Sequence, residues 1–283
     1  MTSVIPRRTL TAATMLGLFF SALHFEPLRW LVPLLIGACG VFCLFELGRL
    51  ISLKNLRFPY GVCFAFLFLF LADGCLKGFS HALPLIAGLI MVLLTWRVLI
   101  GDFQNLAAEA GAAFLATLYV GLPMGMAAAL CRMTDATGAS IGMPLMFYQA
   151  AVIFCGDTAA FLVGSRWGRR PFFPKISPRK TIEGAAASVV TSVAVAVVVV
   201  LLLPSLRGFL GFGHGTILGL ILGLVAPLGD LAESAFKRDA GRKDSGSDLT
   251  GHGGFLDMFD ALLFGLPVQY FYIQLVLANA AMR

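Results

Sequence analysis

The chain has 283 residues, 59% of them hydrophobic and only 13% charged, which excludes an ordinary soluble domain. Its mean hydropathy of +0.89 belongs in a bilayer, and 25 Phe beside few acids and bases exclude a disordered or nucleic-acid-wrapping chain despite a net charge of +6. No nucleic acid partner is expected, so the basic excess is assigned to loops that face anionic lipid or hold an anionic substrate.

A spanning helix needs about 20 apolar residues. Nine stretches qualify, at 9–25, 28–48, 58–76, 82–100, 106–131, 143–165, 185–203, 211–230 and 255–281. The expected fold is therefore all-α, a polytopic membrane protein with about nine transmembrane helices. With the N-terminus inside, the inner segments carry Arg7, Arg8, Arg49, Lys54, Arg57, Arg97, Arg166, Arg169, Arg170, Lys175, Arg179, Lys180, Lys237, Arg238, Arg242 and Lys243. The outer segments keep Arg29, Lys77, Arg132, Arg207 and Arg283, an asymmetry that the positive-inside rule reads as orientation. The first stretch, short and preceded by two arginines, also fits a cleaved signal; the lack of an A-x-A-like site after Phe20 favours a span.

No repeat or low-complexity linker divides the chain. The expectation is a single integrated membrane domain, with residues 1–140 as N-terminal membrane helices and 141–283 as a C-terminal catalytic region. Two polar interruptions, about 164–184 and 231–254, fall on the inner side. The six cysteines lie within or beside apolar runs with neither CxxC pairs nor zinc-ligand spacing, so they read as small hydrophobes and any metal needs oxygen ligands.

Acids are scarce, 15 in all, yet Asp230, Glu233, Asp239, Asp244, Asp248, Asp257 and Asp260 fall in one short window. A solvated loop of mixed charge accounts for Asp239 and Asp248. It does not account for Asp230, which ends an apolar run, or for Asp257 and Asp260, which lie inside one. An Asp at the centre of a span costs about 2.5–3.5 kcal/mol, less near its ends. Asp257 and Asp260 are three apart, so on a helix they share a face. Carboxylates so placed suit Mg²⁺, which takes one or two of them and completes its shell with water and phosphate.

Lys237, Arg238, Arg242 and Lys243 stand nearby, and metal plus cations aimed at phosphate is the machinery of phosphoryl or nucleotidyl transfer. Before the last helix, Gly251-His252-Gly253-Gly254 is either a flexible cap or a backbone cradle for an anion, with His252 a candidate by its position between the acids. In the first interruption, Pro171, Pro174 and Pro178 exclude a basic amphipathic helix and require a structured loop. Its bases serve at least as a topology signal. Its interleaved hydroxyls favour function: Ser177, Lys180 and Thr181 offer donors to phosphate, and Glu183 can orient a cation or a sugar hydroxyl.

At these residues the sequence resembles the phosphatidate cytidylyltransferase (CDP-diacylglycerol synthase) family. Ser234-Ala-Phe-Lys237-Arg238, Lys243-Asp244 and His252-Gly253-Gly254-Phe255-Leu256-Asp257-Met258-Phe259-Asp260 keep the spacing of its signature. Gly229-Asp230-Leu231-Ala232-Glu233-Ser234, Ser177-Pro178-Arg179-Lys180-Thr181-Ile182-Glu183-Gly184 and Gly156-Asp157-Thr158-Ala159-Ala160-Phe161 are similar to further family segments. The chain departs at Thr250, where the family has Pro or Gly, and at Met258, where it has Arg. Met cannot replace a bidentate phosphate donor.

The resemblance implies transfer of CMP from CTP to phosphatidic acid for phospholipid biosynthesis. It also implies dependence on Mg²⁺ with room for a second cation, a homodimer, and a site at the cytoplasmic face of a bacterial inner membrane. Carried over, Asp230 and Asp257 are the metal ligands with Asp260 beside them. Lys237 and His252 join them as catalytic candidates. The expected substrate-binding set is Ser177, Lys180, Thr181, Glu183, Ser234, Arg238, Lys243, Asp244, Gly253 and Gly254. Two rivals remain open: a CTP-dependent lipid-alcohol kinase, which would release CDP, and an ion-coupled transporter, which would place its acids at paired broken helices.

Overall fold

The computed structural model describes residues 31–242 and 254–277. Eight helices among them are long and apolar enough to cross a membrane. They are α1 (Leu31–Ser52), α2 (Tyr60–Lys77), α3 (Ala82–Ile100), α4 (Leu106–Cys131), α5 (Gly142–Trp167), α6 (Ile182–Leu202), α8 (Gly211–Asp239) and α9 (Leu256–Tyr272). A short helix α7 (Pro204–Phe209) links α6 to α8, and α9 runs on into a π-helical turn, Ile273–Leu277. Eight of the nine expected spans are present; the first, 9–25, lies outside the described residues. Long apolar runs become helices here because a backbone in hydrocarbon must satisfy its own hydrogen bonds. The chain is an integral membrane protein.

The first polar interruption is a hairpin. Strands β1 (Pro171–Phe173) and β2 (Ser177–Thr181) pair antiparallel, with Pro171 opposite Thr181 and Phe173 opposite Ser177. The second is shorter than expected from the sequence, because α8 continues to Asp239 for a length of 29 residues. Nothing from Leu231 to Arg238 breaks a helix. Lys237 and Arg238 in its last turn suit the negative end of the helix dipole, and Gly241, at φ 67°, ends it.

The chain divides into two compact units, residues 1–129 with 239–258, and residues 130–238 with 259–283. In the first, α1 meets α2 at Gly40, where a Cβ would stand 3.0 Å from Leu67. Arg97 and Glu109, both buried, form an ion pair of 2.7 Å. Arg97 also donates to the carbonyls of Asp102 and Gln104, and Glu109 accepts from the N–H of Arg57. These bonds hold the loop between α3 and α4.

In the second unit small residues let helices approach closely. A Cβ at Gly156 on α5 would meet the hydroxyls of Ser192 and Ser188 on α6 at 2.5 and 3.0 Å. One at Gly223 on α8 would meet Ser192 Cβ at 2.7 Å. Buried amides complete the fit: Gln149 donates to the carbonyl of Leu262 on α9 and Gln269 to that of Leu145 on α5.

Candidate active site

The site lies in the second unit, where α5, β2, α8 and α9 each bring a charged side chain to one place. Gly229 makes this possible. A Cβ there would stand 2.5 Å from the carbonyl oxygen of Asp260 and 3.0 Å from the Cα of Ala261, so only glycine lets α8 and α9 cross at that point. Asp230 follows immediately on α8, and Glu233, three residues on, shares its face.

Asp230, Glu233 and Asp260 can each present an oxygen such that all three lie within 4.8 Å of one another. Glu233 is fully buried and Asp260 is 7% exposed. Two lysines reach this group. Lys180 on β2 sits 2.5 Å from Asp230, and Lys237 sits 2.5 Å from Glu233 one helical turn away. Asp157, half-buried on α5, interacts electrostatically with Asp230 and Lys180. Among these groups four carboxyl groups face two ammonium groups, a shortfall of bases.

That shortfall and the all-oxygen donor set fit a hard divalent ion. Two oxygens on one Mg²⁺ stand at most about 4.2 Å apart, twice the usual bond length. Carboxylates within 4.8 Å of each other reach this by small side-chain rotations.

The remaining expected residues divide into several groups. Ser234 on α8 points its hydroxyl at Asp230 from 3.5 Å. The Nε of Arg238 donates to the carbonyl of Ile176, tying the end of α8 to the hairpin. Ser177 opens β2 and is half-buried. Thr181 and Glu183 have fold-supporting partners. The Thr181 hydroxyl accepts from the N–H of Gly184 as the N-cap of α6, and Glu183 accepts from the N–H groups of Arg169 and Arg170. Asp257 lies in the first turn of α9 and accepts from the N–H of Gly254 at 3.3 Å. Lys243, Asp244, His252 and Gly253 lie outside the described residues.

Two acids in the cluster were not among the expected site residues. Glu233 carried the same signal as Asp257 and Asp260, three-residue spacing on a helix from Asp230. Asp157 carried another, a lone charge within the apolar run of α5.

Carboxylates, paired lysines and a basic hairpin on the scaffold of a helical membrane protein form a candidate site whose chemistry suits phosphate. Residues 6–276 match the cytidylyltransferase family, and the chain belongs to that family. It is 34% identical to the phosphatidate cytidylyltransferase of Bacillus subtilis (strain 168) over 86% of this chain and 88% of that one. It is 33% identical to the uncharacterized protein YnbB of Escherichia coli (strain K12), over 87% of this chain and 80% of that one. The phosphatidate cytidylyltransferase of Staphylococcus aureus (strain COL) is 41% identical over 46% of this chain and 48% of its own.

Proposed function

We propose that the protein transfers the CMP of CTP to phosphatidic acid, giving CDP-diacylglycerol and pyrophosphate for phospholipid biosynthesis. The observation that carries this reading is the convergence of Asp230, Glu233 and Asp260 with Lys180 and Lys237 in a chain that matches the cytidylyltransferase family almost end to end. The family match favours it over the lipid-alcohol kinase and the transporter.

In this reading a phosphate oxygen of the lipid attacks the α-phosphorus of CTP. One P–O bond forms, the bond to the bridging oxygen breaks, and pyrophosphate leaves with that electron pair. No side-chain nucleophile takes part. Asp230, Glu233 and Asp260, with Asp257 from the family resemblance, would hold Mg²⁺, whose charge stabilises the crowded phosphate oxygens. Lys180 and Lys237 neutralise the developing charge on the leaving group. Arg238 holds the hairpin beside α8, so that Lys180 keeps its reach. The site belongs at the cytoplasmic face of the inner membrane, as the bases of the hairpin and of the end of α8 suggest. A homodimer is the assembly the resemblance implies.

The test is incubation of detergent-purified protein with CTP labelled at either the α- or the γ-phosphate, with phosphatidate or a polyprenol. Lipid labelled from the α-position only, with equimolar pyrophosphate, is the expected result. Label entering lipid from the γ-position, with release of CDP, would replace this reading with that of a kinase.

A further inference from the structure

The first N–H groups of a helix have no partner within it and are normally met by a side chain at its N-cap. At α9 two of them are met from a distant helix. Glu46 of α1, 8% exposed, accepts from the N–H of Phe255 through Oε1 and from that of Leu256 through Oε2, both at 2.9 Å. Phe42, one turn earlier on α1, stacks on Phe255 with ring centroids 4.8 Å apart. Together with the bond from the N–H of Gly254 to Asp257, three consecutive backbone donors at 254–256 are each held by a carboxylate.

A buried carboxylate within a span is costly unless strong hydrogen bonds compensate it. Bidentate bonds from an anion to backbone N–H groups at the positive end of a helix are among the strongest available. The pair therefore fixes where α9 begins and how it is rotated. Asp257 is the next residue, and Asp260 lies one turn in from Leu256.

We propose that Glu46 is a positioning residue for the transfer reaction, clamping the start of α9 so that Asp257, the residue next to the clamp, points in the working direction. The proposal rests on the cytidylyltransferase reading above. It also gives a role to α1, whose sequence carries no catalytic motif. Misplacing a reacting group by about 1 Å can cost about 10²-fold in rate.

The experiment compares wild type, Glu46→Ala and Glu46→Gln in detergent. It measures hydrogen exchange at 254–258 in metal-free protein, the thermal midpoint, and kcat and KM for CTP. For Glu46→Ala the expected result is faster exchange confined to this segment, a kcat lower by about 10²-fold, and a KM changed by less than threefold. Glu46→Gln keeps the shape and one good acceptor, and should recover part of kcat.

A purely structural role would lower the midpoint while leaving kcat per folded molecule unchanged, and that result overturns the proposal. If Glu46→Ala does not fold, unchanged exchange and kcat in Glu46→Gln overturn it equally. A wild type without transferase activity would instead remove the functional reading, while the exchange data would still report on the clamp.

Discussion

Gly229 and Asp260 touch through the backbone: a Cβ on the first would stand 2.5 Å from the carbonyl oxygen of the second. The glycine of the Gly-Asp pair is thus a spacer, and the aspartate after it enters the site because the helices can cross there. Gly229→Ala should force α8 from α9 and lower CDP-lipid formation by about 10²-fold. Gly213→Ala, on the same helix with open space around it, should leave the rate unchanged and add up to about 1 kcal/mol of helix stability. Steady-state rates and thermal midpoints of the two variants check this.

Glu233 is fully buried beside Asp230, so its carboxylate should matter as much as the aspartates. Glu233→Gln is expected to lower kcat by about 10²–10³-fold, the cost of removing one preorganised electrostatic group. It should also raise the Mg²⁺ concentration needed for half-maximal rate. Asp239→Asn removes only an exposed pair with Lys54, worth about 1 kcal/mol at most, and should stay within twofold of wild type.

Lys180 reaches Asp230 from the hairpin, where it can also meet a triphosphate. Lys180→Gln should raise KM for CTP by about tenfold, the scale of one charge-assisted hydrogen bond, with a smaller effect on KM for phosphatidate. Equal effects on both substrates would argue against a role toward the nucleotide.

Met258 is 40% exposed in the first turn of α9, at the position where the family carries Arg. Met258→Arg should add a bidentate phosphate donor and raise kcat/KM by about tenfold. Unchanged kinetics would show that the chain meets this need with another residue.

Arg97 and Glu109 form a buried pair remote in sequence from the catalytic motifs. Arg97→Leu leaves a buried acid uncompensated and should cost about 3–5 kcal/mol, measured as a lowered unfolding midpoint in detergent. The double variant Arg97→Leu/Glu109→Leu should recover much of that loss.

The spans were legible because hydrocarbon permits little besides apolar helices, and the ends of α1 to α6 fall within four residues of expectation. The extension of α8 to Asp239 departs from the polar interruption expected from residue 231, because Ala232-Glu233-Ser234-Ala235-Phe236-Lys237 is good helix sequence despite its charge. The prolines of the basic segment exclude a helix there, as the structure bears out, but pairing of β1 with β2 depends on a register that periodicity over so few residues cannot give. In the site, Asp230 and Asp260 were legible as charges stranded in apolar runs. The interhelical bonds of Glu46 were not, because a partner about 209 residues away leaves no local pattern. Side-chain chemistry makes Thr181 a donor to phosphate and Glu183 a group to orient a cation or a sugar hydroxyl, and the bonds they accept from the backbone at 184 and at 169 and 170 emerge only in three dimensions.

The most direct test of the carboxylate cluster is a Mn²⁺ titration followed by electron paramagnetic resonance, without nucleotide, on wild type and on Asp230→Asn/Glu233→Gln/Asp260→Asn. Saturable Mn²⁺ binding in the wild type, displaced by Mg²⁺ and lost in the triple variant, is the predicted result. Equal binding in a folded triple variant would contradict the assignment of the metal to these residues.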